Sequence, residues 1–176
     1  LAKRATTTKK PPAPAQSLAP SQNGHGDDPS EPRFEVYVID SGWKTQAGEI
    51  VRDSLDLFTK YLQRHTVYIL SPDQSEEFLQ DHPQLLGKDP IIAVLDRSAI
   101  NRARKDGIGA RLLLGRIHNP HRVHALLTML LRIVNTRHLA MDLPGSIRRE
   151  VHREGVTGAI EVILNVTGHI EAESGH

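Results

Sequence analysis

Three histidines stand at three-residue steps, His118, His121 and His124. Two imidazoles three apart on one helical face can share a divalent metal, and a third beside them can close the site. No Asp or Glu lies nearby to orient the rings, as an outer ring of partners usually does. We therefore assign no metal and no cofactor, and keep these three histidines as the only metal candidates. Arg116, His118, His121 and Arg122 also surround the start of an expected helix, whose free backbone N–H groups make a candidate anion site. Ordinary capping by Asn119 competes for those groups and is the favoured reading.

The single tryptophan, Trp43, precedes Lys44 in the loop Ser41–Thr45. A rigid aromatic there suits a contact anchor, and packing under the adjoining helix is an equal alternative. The chain has no Cys. That excludes a disulfide scaffold, a thiol nucleophile, Cys-ligated metal and dithiol redox chemistry by its own residues. Gly107-Ile108-Gly109 lacks the third glycine and the strand–helix frame of a dinucleotide fingerprint. Ser, His and Asp all occur, but no local motif arranges them as nucleophile and base.

The 176 residues carry 22 Lys+Arg against 21 Asp+Glu, a formal charge of +1. That excludes a globally basic nucleic-acid binder. The charge is unevenly spread. Residues 91–137 hold nine basic residues against two acids, a balance of +7, whereas residues 33–90 balance to −4. The nine are Arg97, Arg102, Arg104, Lys105, Arg111, Arg116, Arg122, Arg132 and Arg137. Arginine suits planar recognition of carboxylate or phosphate. Few aromatics interleave, so stacking on single strands is poorly supported, and a solvated or self-pairing face is favoured over nucleic acid.

The elements that must position these residues fall into three parts. Residues 1–33 hold six of the eleven prolines and no aromatic residue. Such a tail cannot bury enough apolar area to offset its ordering entropy, so it is expected to be disordered. Residues 34–138 read as a compact α/β unit. Phe34 to Ile39 is a strand, and apolar residues from Ala47 to Leu62 recur at helical spacing, predicting a helix of about five turns. Thr66 to Leu70 is a second strand. Ser71, Pro72 and Gln74 form a helix start with a capping box. Ile91 to Leu95 is apolar on both faces and is expected to be central. Ala110 to Ile117 is a fourth strand candidate, broken by Gly115. Asn119 and Pro120 open a helix that buries Val123, Leu126, Leu127, Leu130, Leu131 and Val134.

Residues 139–176 read as an appendage. Pro144-Gly145 breaks the chain, and Ser146 is expected to cap a short helix through Glu154. After Gly155 the period becomes two. Val156, Ile160, Val162, Leu164 and Val166 share one parity, with Ile163 the exception, which predicts an amphipathic strand or a hairpin bent near Asn165–Gly168. Its apolar face must be covered, by its own sheet edge or by another subunit, so these five residues are the candidate oligomer interface.

The order strand, helix, strand, short helix, proline-led strand, strand, helix resembles the thioredoxin-like fold. Within that fold it is similar to the KaiB family of clock proteins more than to the enzymes. The resemblance covers residues 34–138 and is sharpened by Pro90, in Lys88-Asp89-Pro90-Ile91, directly before the third strand. Thioredoxin-like proteins commonly carry a cis-proline there. The redox enzymes place Cys-x-x-Cys where this chain has Ser41-Gly42-Trp43-Lys44, so the resemblance implies a scaffold without disulfide exchange. It also sets Trp43, Lys44 and Pro90 at the corner where such enzymes bind partners. The competing fold is a receiver-like, doubly wound α/β domain, with residues 97–109 as a crossover helix. Asp40 and Asp96 then follow the first and third strands, but the remaining receiver residues are missing.

These readings together predict a non-catalytic, redox-inactive interaction or regulatory module with a protein partner, working in a homo-oligomer or larger complex. The alternatives are a signalling or anion-binding α/β domain and, behind it, a His-dependent metal enzyme. No apolar run reaches the about 18–20 residues that span a bilayer, so no membrane insertion is expected. The first residues show no signal-peptide pattern, and a cytoplasmic location is expected.

Overall fold

The computed structural model describes residues 32–101, 107–136 and 142–164. The expected disorder of residues 1–33 falls almost wholly outside them. Five strands form one mixed sheet, β1 (Phe34–Ile39), β2 (Thr66–Ile69), β3 (Ile91–Asp96), β4 (Gly109–Leu113) and β5 (Ile160–Ile163), in the order β2-β1-β3-β4-β5. β1 and β2 are parallel, whereas β3 is antiparallel to both β1 and β4, and β5 is antiparallel to β4. A doubly wound parallel sheet, as a receiver-like domain requires, is thereby overturned.

β3 is central, as its uniformly apolar sequence implies. All of its residues are buried, including Asp96. That carboxylate is 1% exposed, accepts from Arg33 at 2.9 Å, and also accepts from the backbone N–H and hydroxyl of Ser98. Neighbouring Arg97 is not its ion-pair partner. Arg97 instead pairs with Glu35 at 3.1 Å.

One face of the sheet carries the larger core. Phe34, Val36, Val38, Ile92, Val94, Ala110 and Leu112 meet side chains from α1 (Gln46–Asp53), α2 (Leu55–Tyr61), α5 (Pro120–Asn135) and α6 (Leu143–Arg153). The expected five-turn helix is thus two helices. The Ser54 hydroxyl donates to the carbonyl of Ile50 at 2.7 Å, and the backbone N–H of Ser54 is shared between Ile50 and Val51 carbonyls. Such back-bonding bends a helix, which the hydrophobic period alone does not reveal. The opposite face is covered more thinly. Ile39, Ile91 and Leu113 pack under α3 (Pro72–Asp81) and the 3-10 turn Pro83–Leu85, and Ala93, Leu95 and Ile163 pack with Ala99 of α4 (Arg97–Asn101).

Helix starts follow sequence rules closely. Ser71 and Gln74 form the reciprocal capping box, and Asn119 accepts from the backbone N–H of His121 at 2.9 Å. α6 is the exception. Its cap is Asp142, which accepts from Gly145 at 3.1 Å, and not Ser146. Pro144-Gly145 lies inside the first turn, where a proline has no N–H to leave unpaired. β4 also ends earlier than its apolar run, and Leu114–Arg116 is a 3-10 turn.

β5 joins the sheet edge beside β4, with Ala110 opposite Val162 and Leu112 opposite Ile160. Its fully buried residue is Ile163, the one that broke the alternation. The expected hairpin near Asn165–Gly168, and with it Val166, lies outside the described residues.

Candidate functional site

The loop that carries Trp43 and Lys44 and the turn at Pro90 lie at one end of the sheet, where β1 ends and β3 starts, joined through Ser41 and Asp89. Chain direction explains the meeting. β1 and β3 are antiparallel, with Ile39 opposite Ile91, so the exit of one strand lies beside the entry of the other.

The loop 40–45 is held from several sides. The backbone N–H of Asp40 donates to Ser75 Oγ at 3.0 Å, and Ser75 on α3 is fully buried. The Asp40 carboxylate accepts from Arg52 at 2.6 Å and from the backbone N–H of Gly42 at 3.1 Å. Gly42 has φ +81°, a conformation that L side chains rarely adopt. Ser41 donates its hydroxyl to the Asp89 carboxylate, which also accepts the Ser41 backbone N–H at 3.4 Å. Thr45 caps α1, its Oγ1 accepting from Gly48 at 3.0 Å. The Trp43 carbonyl accepts from Thr45 at 2.8 Å and, at 3.5 Å, from Arg52.

The turn at Pro90 is fixed as tightly. The Asp89–Pro90 bond is cis, and Pro90 is buried. Leu114 donates to the Pro90 carbonyl at 2.9 Å, and Gly115 donates to that of Lys88 at 3.1 Å. A Cβ on Gly115 would stand 2.2 Å from the Asp89 carbonyl oxygen, so only glycine allows this approach.

Against this frame the Trp43 side chain is 72% exposed, and Lys44 is exposed beside it. Packing under α1, the alternative for Trp43, is overturned. Arg52, paired with Asp40, reaches the Trp43 carbonyl, while the indole stands in solvent. Chemically, the corner presents a flat apolar ring and an ammonium on a preset backbone. The Ser41 hydroxyl is committed to Asp89 and has no imidazole partner among the described residues.

The other candidates lie elsewhere. At the start of α5, Asn119 occupies the helix end, and Arg116 donates to the Gly158 carbonyl at 2.9 Å. His118, His121 and Arg122 are exposed around it. Among the described residues, no group of three His, Cys, Asp or Glu side chains gathers to hold a metal, so His118, His121 and His124 are not brought together as ligands. Val156 and Ile160 pack partly buried against the main core. Val162 is half-buried, and Leu164 is 67% exposed. Of the basic stretch, Arg102, Arg104, Lys105 and Arg137 lie outside the described residues. Burial lowers the pKa of Arg111, and Glu161, its cross-strand neighbour, opposes that shift.

Sequence reasoning missed the residues that hold the corner. The sequence alone assigned no role to Arg52, Ser75 or Asp89.

Comparison with protein-family models, with curated proteins and with solved structures found no match to this chain. No helix among the described residues is long and apolar enough to cross a membrane.

Proposed function

We propose that this chain is a non-catalytic, redox-inactive protein-interaction module of thioredoxin-like architecture, and that it docks a protein partner through Trp43 and Lys44 beside the Pro90 turn. The architectural part rests on the strand order β2-β1-β3-β4, the antiparallel β3 and β4, and a proline directly before β3. The docking part rests chiefly on one observation: an indole 72% exposed on a loop whose backbone is clamped to α1, α3 and residue 89. A preset aromatic loses little freedom on contact, and a desolvated tryptophan is among the strongest interface anchors. The absence of Cys removes dithiol exchange from the chemistry of this corner.

The test is affinity capture with the full chain, Trp43→Ala and Lys44→Glu, with Lys60→Ala as a surface control. A protein held in stoichiometric amount by the full chain and the control, and reduced at least tenfold by Trp43→Ala, supports the reading. Recovery of the same partners in the same amounts by Trp43→Ala overturns it.

A further inference from the structure

Among the described strands, β5 is the outermost beyond β4. Its residues alternate between two faces. Ile160 packs on the face that carries α6, and Ile163 packs on the opposite face with Ala93, Leu95 and Ile108. α6 runs alongside β5 in the opposite sense. A methyl on Gly107 would meet both Val162, at 2.6 Å, and Pro144, at 3.6 Å, so the first turn of α6 lies at Val162. One turn later, Arg148 and Arg149 border an open groove of about 520 Å3, together with His152, Thr157 and Ile160.

This groove has a basic rim and an apolar side at Ile160. Arg149 donates to Ser146 Oγ at 3.0 Å, and the Arg148 side chain is exposed. Glu150 turns toward Arg132 of α5 and also holds Arg153, and Glu154 follows it by one helical turn. Glu161 holds Lys88 at 3.1 Å. None of these three acids lines the groove.

Residues 165–176 follow directly and lie outside the described residues. Their sequence reads as turn residues, Asn165-Val166-Thr167-Gly168, and then an alternation, His169-Ile170-Glu171-Ala172-Glu173-Ser174. With the reversal at Asn165–Gly168, Leu164 stands opposite His169. Ile163 then meets Ile170, Val162 meets Glu171, and Ile160 meets Glu173. Opposed residues share a face of a sheet. Ile170 therefore joins the buried Ile163, while Glu171 and Glu173 fall on the α6 side, with Glu173 at the groove. A slip of one residue either way would set Glu171 or His169 against Ile163, on an apolar face that disfavours both. The length also fits. Eight residues follow the turn, and four span β5.

We propose that this chain's own C-terminal segment, residues 169–174, adds to β5 as a sixth, antiparallel strand, and that Glu173 pairs with Arg148 across the groove. Backbone pairing and the Ile163–Ile170 contact hold the strand, and the charges fix its register. An edge filled from within the chain is closed to a second copy.

The test uses the full chain. Amide exchange at residues 170–173, read by NMR, is expected to be at least tenfold slower than in a synthetic peptide of residues 165–176, and independent of protein concentration. Arg148→Glu and Glu173→Lys are each expected to speed it at least threefold, and the two together to restore it, whereas Glu154→Lys leaves it unchanged. The register has its own readout, because the chain holds no Cys. Val162→Cys with Glu171→Cys is expected to close an intramolecular disulfide in air faster than Val162→Cys with Ile170→Cys, whose side chains point to opposite faces. Exchange as fast as in the peptide, indifference to both charge reversals, an equal effect of Glu154→Lys, or faster closure by the second cysteine pair overturns the proposal. Protection that grows with concentration makes a second copy the occupant and overturns it as well.

Discussion

The corner at Pro90 and the outer edge at β5 both present exposed side chains, but their charges are used in opposite ways. At the corner, Asp40 holds Arg52 and Asp89 holds Ser41, so charge is spent inside the protein on fixing a loop. At the edge, the exposed Arg148 side chain forms no ion pair among the described residues. Internal pairing makes a surface rigid, and its recognition must then come from the group left outside, here Trp43. Charge left at the rim makes a surface selective by sign.

The largest effect that breaks this contrast is expected at Gly115. Gly115→Ala forces a methyl against the Asp89 carbonyl, 2.2 Å away, so the two turns must part. We expect a loss of about 3 kcal/mol, read by urea unfolding, at the high end for an overpacked site. A loss below about 1 kcal/mol would show that the corner is softer than its hydrogen bonds imply.

At the far end of β1, His65 makes stability depend on pH. Its Nε2 lies 3.1 Å from the Val134 carbonyl, its ring meets Phe34 edge to face, and its buried Nδ1 has no hydrogen-bond partner among the described residues. Burial is the main cause that pushes its pKa below 6.5, with Arg33 and Arg64 adding to it and the Val134 hydrogen bond opposing it. The unfolded chain therefore binds the extra proton more readily. Stability should be level above about pH 6.5 and fall as the pH drops toward the lowered pKa. His65→Gln should flatten that slope between pH 7.5 and 5.5, and an unchanged slope would assign it to other groups.

Smaller effects sharpen the comparison further. Ser71→Ala removes the capping bond from the Gln74 backbone N–H to Ser71 Oγ, while the Ser71 backbone N–H keeps its Gln74 acceptor, and is expected to cost about 1 kcal/mol. Arg52→Ala is expected to cost up to about 1 kcal/mol, because its partner Asp40 is shielded while Arg52 itself is partly exposed. The more telling readout is the fluorescence anisotropy of Trp43, which should fall as the loop is released. Arg148→Ala should change global stability by less than about 0.5 kcal/mol, since an exposed side chain at a sheet edge contributes little to folding. A larger loss would mean that Arg148 is engaged within the core and would remove the contrast between the two regions.

Much of the scaffold was legible from residue order. The caps at Ser71 and Asn119 and the burial of β3 follow from local chemistry, which acts over one helical turn or one strand. The errors share a different cause. Ser54 bends a helix through a side-chain bond that the apolar period does not register. Asp142 outcompetes Ser146 as a cap because it stands before a proline suited to the first turn. On β5, parity identified two faces but not which one is buried. Ile163 turns inward toward Ala93, Leu95 and Ile108 because β4 sets its register. That the loop at 41–45 adjoins the Pro90 turn was expected, whereas the roles of Arg52, Ser75 and Asp89 were not, because they depend on partners 12, 35 and 48 residues away.

The amino-acid sequence by itself determined the thiol-free chemistry, the uneven charge, most helix starts and the central place of β3, since each depends on composition or on neighbours along the chain. Tertiary structure alone decided that Trp43 stands outside while Arg52 pairs with Asp40, that Asp96 meets Arg33, and that Arg148 and His152 lie beside Thr157 and Ile160. The physical reason is that a charge finds its partner through space, and the strand order sets which charges are near.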